Sequence, residues 1–382
     1  MPGFMRILGR NEVKGAKWNT AESGMACLSS KMGVPAKARQ SRGGRWRNAV
    51  CGFAVMQSVL GCAPVIAESP QSATDALPTD AVFGAHSFWY QPIPEEVPLH
   101  ANSEGFLADF LRQKKKYTGN VSIAMASWSS PVYTVGTDVP TVRVKQWFCM
   151  KEWQQPNSGL AEQFEAVPIP DYAEPAGGSD SEMTVYQPET DTLWEFWKAR
   201  KVNGQWEACW GGRMQKASKS DGRWHSIYGT TATGLPFIGG QVTAEELRRG
   251  EIRHAIGIAL VEAESWRIVS WPAKRSDGFN PRQDPNRIPE GLRFRLDPSV
   301  DVDALPMHAA GKVIAKAAQK YGFVVWDKAG VIAIRSQNPK TYTAKGQPNP
   351  YPELLDGAKT YSLLRGFPWD KLQFLPQDYG KP

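Results

Sequence analysis

The segment Met183–Tyr228 constrains the fold most, because turn signals break it into runs too short for anything but strands. MTVY ends at Gln187-Pro188-Glu189-Thr190-Asp191, and TLWEFWKAR follows. Asn203-Gly204 then offers a two-residue turn in which both positions accept the positive φ of a type I′ hairpin. QWEACW returns, Gly211-Gly212 interrupts it, and Ser220-Asp221-Gly222 leads into RWHSIY. Aromatic and β-branched residues between such turn clusters predict an antiparallel meander.

The same grain runs through the rest of the chain. VSIAMASWS, PVYTV and PTVRVKQWF read as short strands from Val121 onward. Ile252–Leu260 (IRHAIGIAL) reads as a buried strand and Trp266–Trp271 (WRIVSW) as its neighbour. LRFRL alternates, and VVW and VIAIRS flank the turn Asp327–Gly330 as a final hairpin. Helix signals are few. Phe106, Leu107, Phe110 and Leu111 make an apolar stripe over Ser103–Lys116, and Thr243–Glu246 is a capping box closed by Gly250. A third helix is expected over about Pro306–Tyr321. These elements predict a mainly β fold, an antiparallel β-sandwich (jelly-roll-like) with a few short helices. It would occupy residues 81–382 as one domain, after a leader over 1–67 and a linker over 68–80.

Charge separates the leader from the body. The formal net charge is +7, yet residues 1–67 hold ten Lys/Arg and two acids, leaving 35 basic and 36 acidic residues beyond them. A phosphate-backbone binder needs cations clustered where it folds, and the body offers only Lys114-Lys115-Lys116, so no nucleic-acid partner is expected. Arg42, Arg45 and Arg47 precede the apolar stretch Asn48–Gly61, which is too short for an anchor and suits a signal peptide cleaved after Ala67. A lipid anchor at Cys62 is the alternative. Both predict a secreted or periplasmic protein whose mature chain has no membrane span. Cys149 and Cys209 remain beyond the leader, and they read either as one disulfide or as two buried thiols.

Neither a metal nor a cofactor is expected. The His and Cys residues lack ligand spacing; a metal ion on loop carboxylates such as Asp277 and Asp284 is an alternative with no specific pattern behind it. TATGLPFIGG matches neither a P-loop nor a dinucleotide fingerprint, and reads as a tight loop.

Aromatic residues and strand carboxylates are the candidates for chemistry. Thirteen of the fifteen Trp lie beyond the leader, with Trp194, Trp197, Trp206, Trp210 and Trp224 close in sequence. Aromatic planes stack on the C–H faces of sugars; the competing reading is that they fill the core. Alternation puts Trp194 and Phe196 on one face of TLWEFW, and Glu195 and Trp197 on the other. Acids are uncommon inside strands, so Glu195 and Glu207 invite acid/base roles, with Asp180 in GGSDSEM to complete a pair. The competing reading is a solvated face on which Glu195 pairs Lys198 or Arg200. His254 reads as an accessory base or as a core histidine bonded to a backbone carbonyl. As a lyase base it would work with Tyr228 as acid and with Arg253, Arg293 or Arg295 on a uronate carboxylate; His225 is a second choice of base.

TATGLPFIGG, ELRRGEIRHAIGIAL, PEGLRFRLD and QKYGFVVWD together resemble a group of secreted bacterial proteins of actinobacterial type. Those proteins share an A-T-G-L-P loop, a G-x-I-x-H-A strand and a K-Y-G element before a V-x-D strand. The resemblance covers most of residues 80–375 and implies export and a shared fold. Jelly-roll carbohydrate-active enzymes are analogous in architecture alone. The expectation is an exported glycoside hydrolase acting on a polysaccharide. Asp180, Glu195 and His254 are its catalytic candidates, and Trp197, Trp210, Trp224, Tyr228 and Arg293 its substrate-binding ones. A non-catalytic carbohydrate-binding or cell-envelope protein and a polysaccharide lyase using His254 and Tyr228 are the alternatives.

Overall fold

A computed structural model describes residues 80–150 and 155–382. The leader with its signal segment, Cys62, and the linker up to residue 79 lie outside the described residues.

Strands are the main regular elements among the described residues: β1 (Ser122–Ala124), β2 (Val132–Thr134), β3 (Lys145–Gln146), β4 (Met183–Gln187), β5 (Thr192–Trp197), β6 (Arg200–Val202) and β7 (Gln205–Ala208). There follow β8 (Trp210–Gln215), β9 (Ile256–Leu260), β10 (Arg293–Leu296), β11 (Phe323–Lys328), β12 (Ala333–Arg335) and β13 (Leu372–Phe374). They form a six-stranded sheet in the order β1-β12-β9-β11-β10-β13, a four-stranded sheet β2-β4-β5-β8, and a three-stranded sheet β3-β7-β6. The helices that matter below are α1 (Ser103–Tyr117), α2 (Ser158–Gln163), α3 (Phe237–Gly240), α4 (Ala244–Arg249) and α5 (Ala309–Lys320).

Asn203-Gly204 does turn β6 into β7, with both residues at positive φ, and β4 and β5 pair antiparallel as the meander requires. The wholly antiparallel arrangement is corrected, however. β1 and β12, β9 and β11, β2 and β4, and β3 and β7 run parallel. Each pair joins segments distant in sequence, where a crossover replaces the hairpin turn, and strand periodicity does not report the direction of a partner. The expected final hairpin is split for the same reason: β11 and β12 lie on either side of β9, whose five residues are all buried. Trp266–Trp271 forms turns rather than a strand, with Trp266 58 % exposed. Arg223–Tyr228 is likewise irregular.

Three apolar clusters hold these sheets. Phe110 of α1 and Ile314 of α5 pack on Ile258, Phe294 and Val325 of the six-stranded sheet. Tyr133, Leu160, Phe164, Trp194, Phe196 and Trp206 form a second cluster. The third takes Leu193 of β5 and Met214 of β8 together with Trp89, Val324 and Trp326, so it bridges the two larger sheets. β5 is therefore buried on both faces, because Leu193 and Trp194 belong to different clusters. Two glycines make this bridge close. A Cβ at Gly240 would stand 2.7 Å from Trp326 and 2.8 Å from Trp89, and one at Gly257 would run into the Trp326 ring.

Cys149 and Cys209 form a disulfide with a Cα–Cα distance of 5.6 Å, tying the segment after β3 to the β7–β8 junction. Sixty residues separate the two cysteines. Closing such a loop removes unfolded-state entropy worth roughly 4 kcal/mol. The double substitution C149S/C209S is expected to lower unfolding free energy by up to about 4 kcal/mol, measured by urea titration without reductant. An unchanged midpoint would show that the bridge does not constrain the unfolded chain.

Candidate functional site

The sequence candidates fall at separate places, each built by its own backbone. Glu195 points from β5 toward the TATGLPF segment. Arg275 fixes that segment by donating to the carbonyls of Gly229, Thr231 and Ala232 at 3.0, 3.1 and 3.0 Å. The Thr231 hydroxyl accepts the Leu235 amide at 2.8 Å, and the chain turns into α3. The amides of Phe237 and Ile238 then donate to the two Glu195 oxygens, each at 2.9 Å, and the Thr230 hydroxyl adds a third bond at 2.6 Å. Glu195 is fully buried, and burial pushes it up to about 7 against these donors. It pairs neither Lys198 nor Arg200. Closed off from solvent and bonded on both oxygens, it moors the loop to the sheet.

His254 lines a cavity of about 480 Å³ with Tyr90, Gln241, Glu245, Glu246 and Tyr342. Its Nδ1 lies 2.9 Å from the Ala255 carbonyl and its Nε2 lies 3.0 Å from Glu246. Both ring nitrogens are thus engaged by oxygen atoms, an arrangement that suits the protonated ring. Burial alone would push His254 down, but the Glu246 carboxylate outweighs it and holds the ring above its ordinary value. The other Glu246 oxygen accepts the Thr243 amide at 2.8 Å and closes the capping box of α4. This leaves His254 no free nitrogen with which to take a proton.

A third place gathers carboxylates around one guanidinium. Arg335, at the end of β12, donates to Glu182 at 3.0 Å and to Asp327 at 2.9 Å. Glu182 directly precedes β4, and Asp327 follows a bulge in β11 at Trp326, a device that re-aims side chains. Burial pushes Glu182 up to about 7, and the charges of Asp180 and Asp327 push the same way. Burial pushes Asp327 up to about 6, aided by Asp277 and Asp180. Glu290 is raised to about 8 by burial and by Asp277, whose amide it accepts at 3.2 Å. Glu182 and Glu290 are fully enclosed, and each keeps one oxygen without a hydrogen bond. Asp327 keeps 16 % of its side chain exposed and Asp180 is partly exposed, so the cluster reaches solvent through these two. Beside Asp180, the indole of Trp128 is 41 % exposed; it lies over Gly178 and donates to Ser179 at 3.2 Å.

Of the predicted catalytic residues, only Asp180 belongs to this cluster. Trp224 is buried, and Trp197 lies under the Lys198 ammonium at 4.7 Å. Tyr228 stacks on Trp210 at 5.9 Å, and Tyr228 and Trp224 line a groove that does not include His254. Arg293 is buried and donates to the carbonyls of Tyr321 and Gln91, while Arg295 donates to those of Pro94 and Glu95. Glu207 pairs Arg200 on the surface at 2.8 Å. Sequence reasoning missed Glu182, Asp327, Arg335 and Glu290. A signal was present in VVWD and VIAIRS, where a charge ends an apolar run. No group of three or more His, Cys, Asp or Glu among the described residues is arranged to hold a metal ion. No helix among them is long and apolar enough to cross a membrane.

Comparison with family models, curated proteins and solved structures returned no match.

Two measurements follow from these groups. Glu195→Gln keeps an acceptor for one of the two backbone amides and turns its NH2 toward the other, and is expected to cost about 2–3 kcal/mol of stability. A variant as stable as the parent in urea would show that the carboxylate moors nothing. The second concerns pH. Glu182, Glu195, Asp327 and Glu290 all have folded-state values above their unfolded ones, so their contribution is full below about 4 and is lost as pH rises through 6 to 8. The raised His254 acts in the same sense. Glu262 is opposite: burial would raise it, but Arg112, Lys116 and Tyr117 hold it at about 2, so its contribution fades only in strong acid. The melting temperature is expected to peak near pH 4–5 and fall by about 5 °C or more by pH 8. A calorimetric profile that rises from pH 5 to 8 would contradict this.

Proposed function

We propose that this is an exported carbohydrate-active enzyme that cleaves a polysaccharide by hydrolysis, with its acid pair drawn from the carboxylates around Arg335. The observation that carries the reading is the shared guanidinium, which bonds Glu182 and Asp327 through its two terminal nitrogens, while the charge of Asp180 acts on both carboxyl groups. Glycosidases use two carboxyl groups roughly 5–9 Å apart whose environments push their proton affinities in different directions. Asp327, raised to about 6 and with part of its side chain exposed, is the proton donor to the leaving oxygen. Asp180 is the partner carboxylate, acting on water or on the sugar. Trp128 offers a flat apolar face beside them for a sugar ring. Glu195 and His254 leave the catalytic set and keep structural roles.

The disulfide and the basic leader support a secreted or periplasmic location, and the cluster shared by the two larger sheets supports a sandwich-like scaffold. A non-catalytic carbohydrate-binding protein is the second reading, favoured by the same exposed indole.

The test is a polysaccharide panel read for new reducing ends and for ultraviolet absorbance together. Hydrolysis without absorbance is expected, and Asp327→Asn should cut it about 10²–10⁴-fold while glycan retention persists. Cleavage undiminished in that variant retires the assignment. Absorbance from an unsaturated product moves the reaction to elimination, and retention without cleavage makes the protein a binder.

A further inference from the structure

The groove that holds Tyr228 is separate in its side chains from the Arg335 cluster, and it carries a guanidinium that forms no ion pair among the described residues. Its volume is about 370 Å³, and Gln163, Arg213, His225, Tyr228 and Glu162 line it. Such a volume falls in the ~300–1000 Å³ range of small-molecule sites. Three elements build it: the edge strand β8, the helix α2 and the irregular segment 223–228.

The walls are fixed by bonds that leave the Arg213 side chain out. Gln163 accepts the Arg213 amide at 2.8 Å and donates to the Gly159 carbonyl at 3.2 Å, which locks α2 against β8. Tyr228 is held from behind by the Trp210 ring, with planes 23° apart. The Arg213 guanidinium makes no hydrogen bond or ion pair among the described residues, although Glu162 lines the same groove. His225, exposed, stands on the same wall as Tyr228.

From this geometry we infer that the groove is a subsite for a uronate ring, with Arg213 gripping the carboxylate and the Tyr228 face supporting the sugar. A planar guanidinium matches a carboxylate in bidentate fashion, and the match is strongest when no other anion competes. The nearly neutral body gives no broad field to draw in a polyanion, so recognition is local and needs only one carboxylate on an otherwise neutral chain. The inference rests on the carbohydrate reading above, and names the class of glycan that it engages.

Titration calorimetry on the full chain tests it, using a xylo-oligosaccharide bearing one glucuronate and the same compound with its carboxyl group reduced. The parent is expected to prefer the acidic form about tenfold or more. Arg213→Ala and the shape-conserving Arg213→Gln should abolish the preference while leaving affinity for the reduced form unchanged; Asp327→Asn should leave the preference intact. Equal affinity of the parent for both compounds overturns the subsite. So does a preference that survives Arg213→Ala and Arg213→Gln, or equal competition by poly-glutamate, which would mark a general carboxylate patch. A preference without any cleavage keeps the subsite and retires the hydrolase; cleavage without a preference does the reverse.

Discussion

Glu195 stands where β5 meets the turn before α3, and the joining of the larger sheets runs through it. Its oxygens collect the first amides of α3 and the Thr230 hydroxyl, which leaves the A-T-G-L-P turn little freedom. That turn delivers α3 against β9, where Gly240 meets Gly257. An inner strand of one sheet is thereby tied to an inner strand of the other through α3, beside the apolar cluster that also bridges the two sheets. A buried carboxylate without such partners would be costly; here the donors offset much of its desolvation. The feature that marked Glu195 as a catalytic candidate, an acid inside an aromatic strand, is the same feature that a mooring requires.

Local structure was legible wherever the signal was local. The Asn203-Gly204 turn, the capping box at Thr243 and the first helix follow from neighbouring residues; the turn and the box stand where the sequence put them, and the helix expected over Ser103–Lys116 runs one residue further, to Tyr117. Parallel pairing was not legible, because nothing within IGIAL or FVVWDK states which distant segment will lie beside it. WRIVSW failed for a related reason: its apolar residues look like a core strand, but Trp266 and Ile268 face solvent.

The candidate site was legible in fragments. Asp180 was visible as an acid in a loop, but its neighbours come from positions 182, 277, 327 and 335, and only the fold brings them near one another. Arg335 and Glu182 are 153 residues apart in sequence. The polar residues that looked most deliberate, His254 and Arg293, are satisfied by nearby backbone and by one carboxylate. A polar residue inside an apolar run, as at His254 and Arg293, therefore marked an interior bond.

The indoles of Trp89 and Trp326 occupy room that Gly240 and Gly257 leave vacant, so these four positions form a single unit of volume. A larger residue at either glycine is tolerable only if an indole shrinks with it, and a smaller residue at Trp326 would open a void that neither glycine can fill. Sequences that keep this joint should therefore change at the four positions jointly or not at all. Such covariation would trace the seam between the two sheets in any set of related chains, with no coordinates needed.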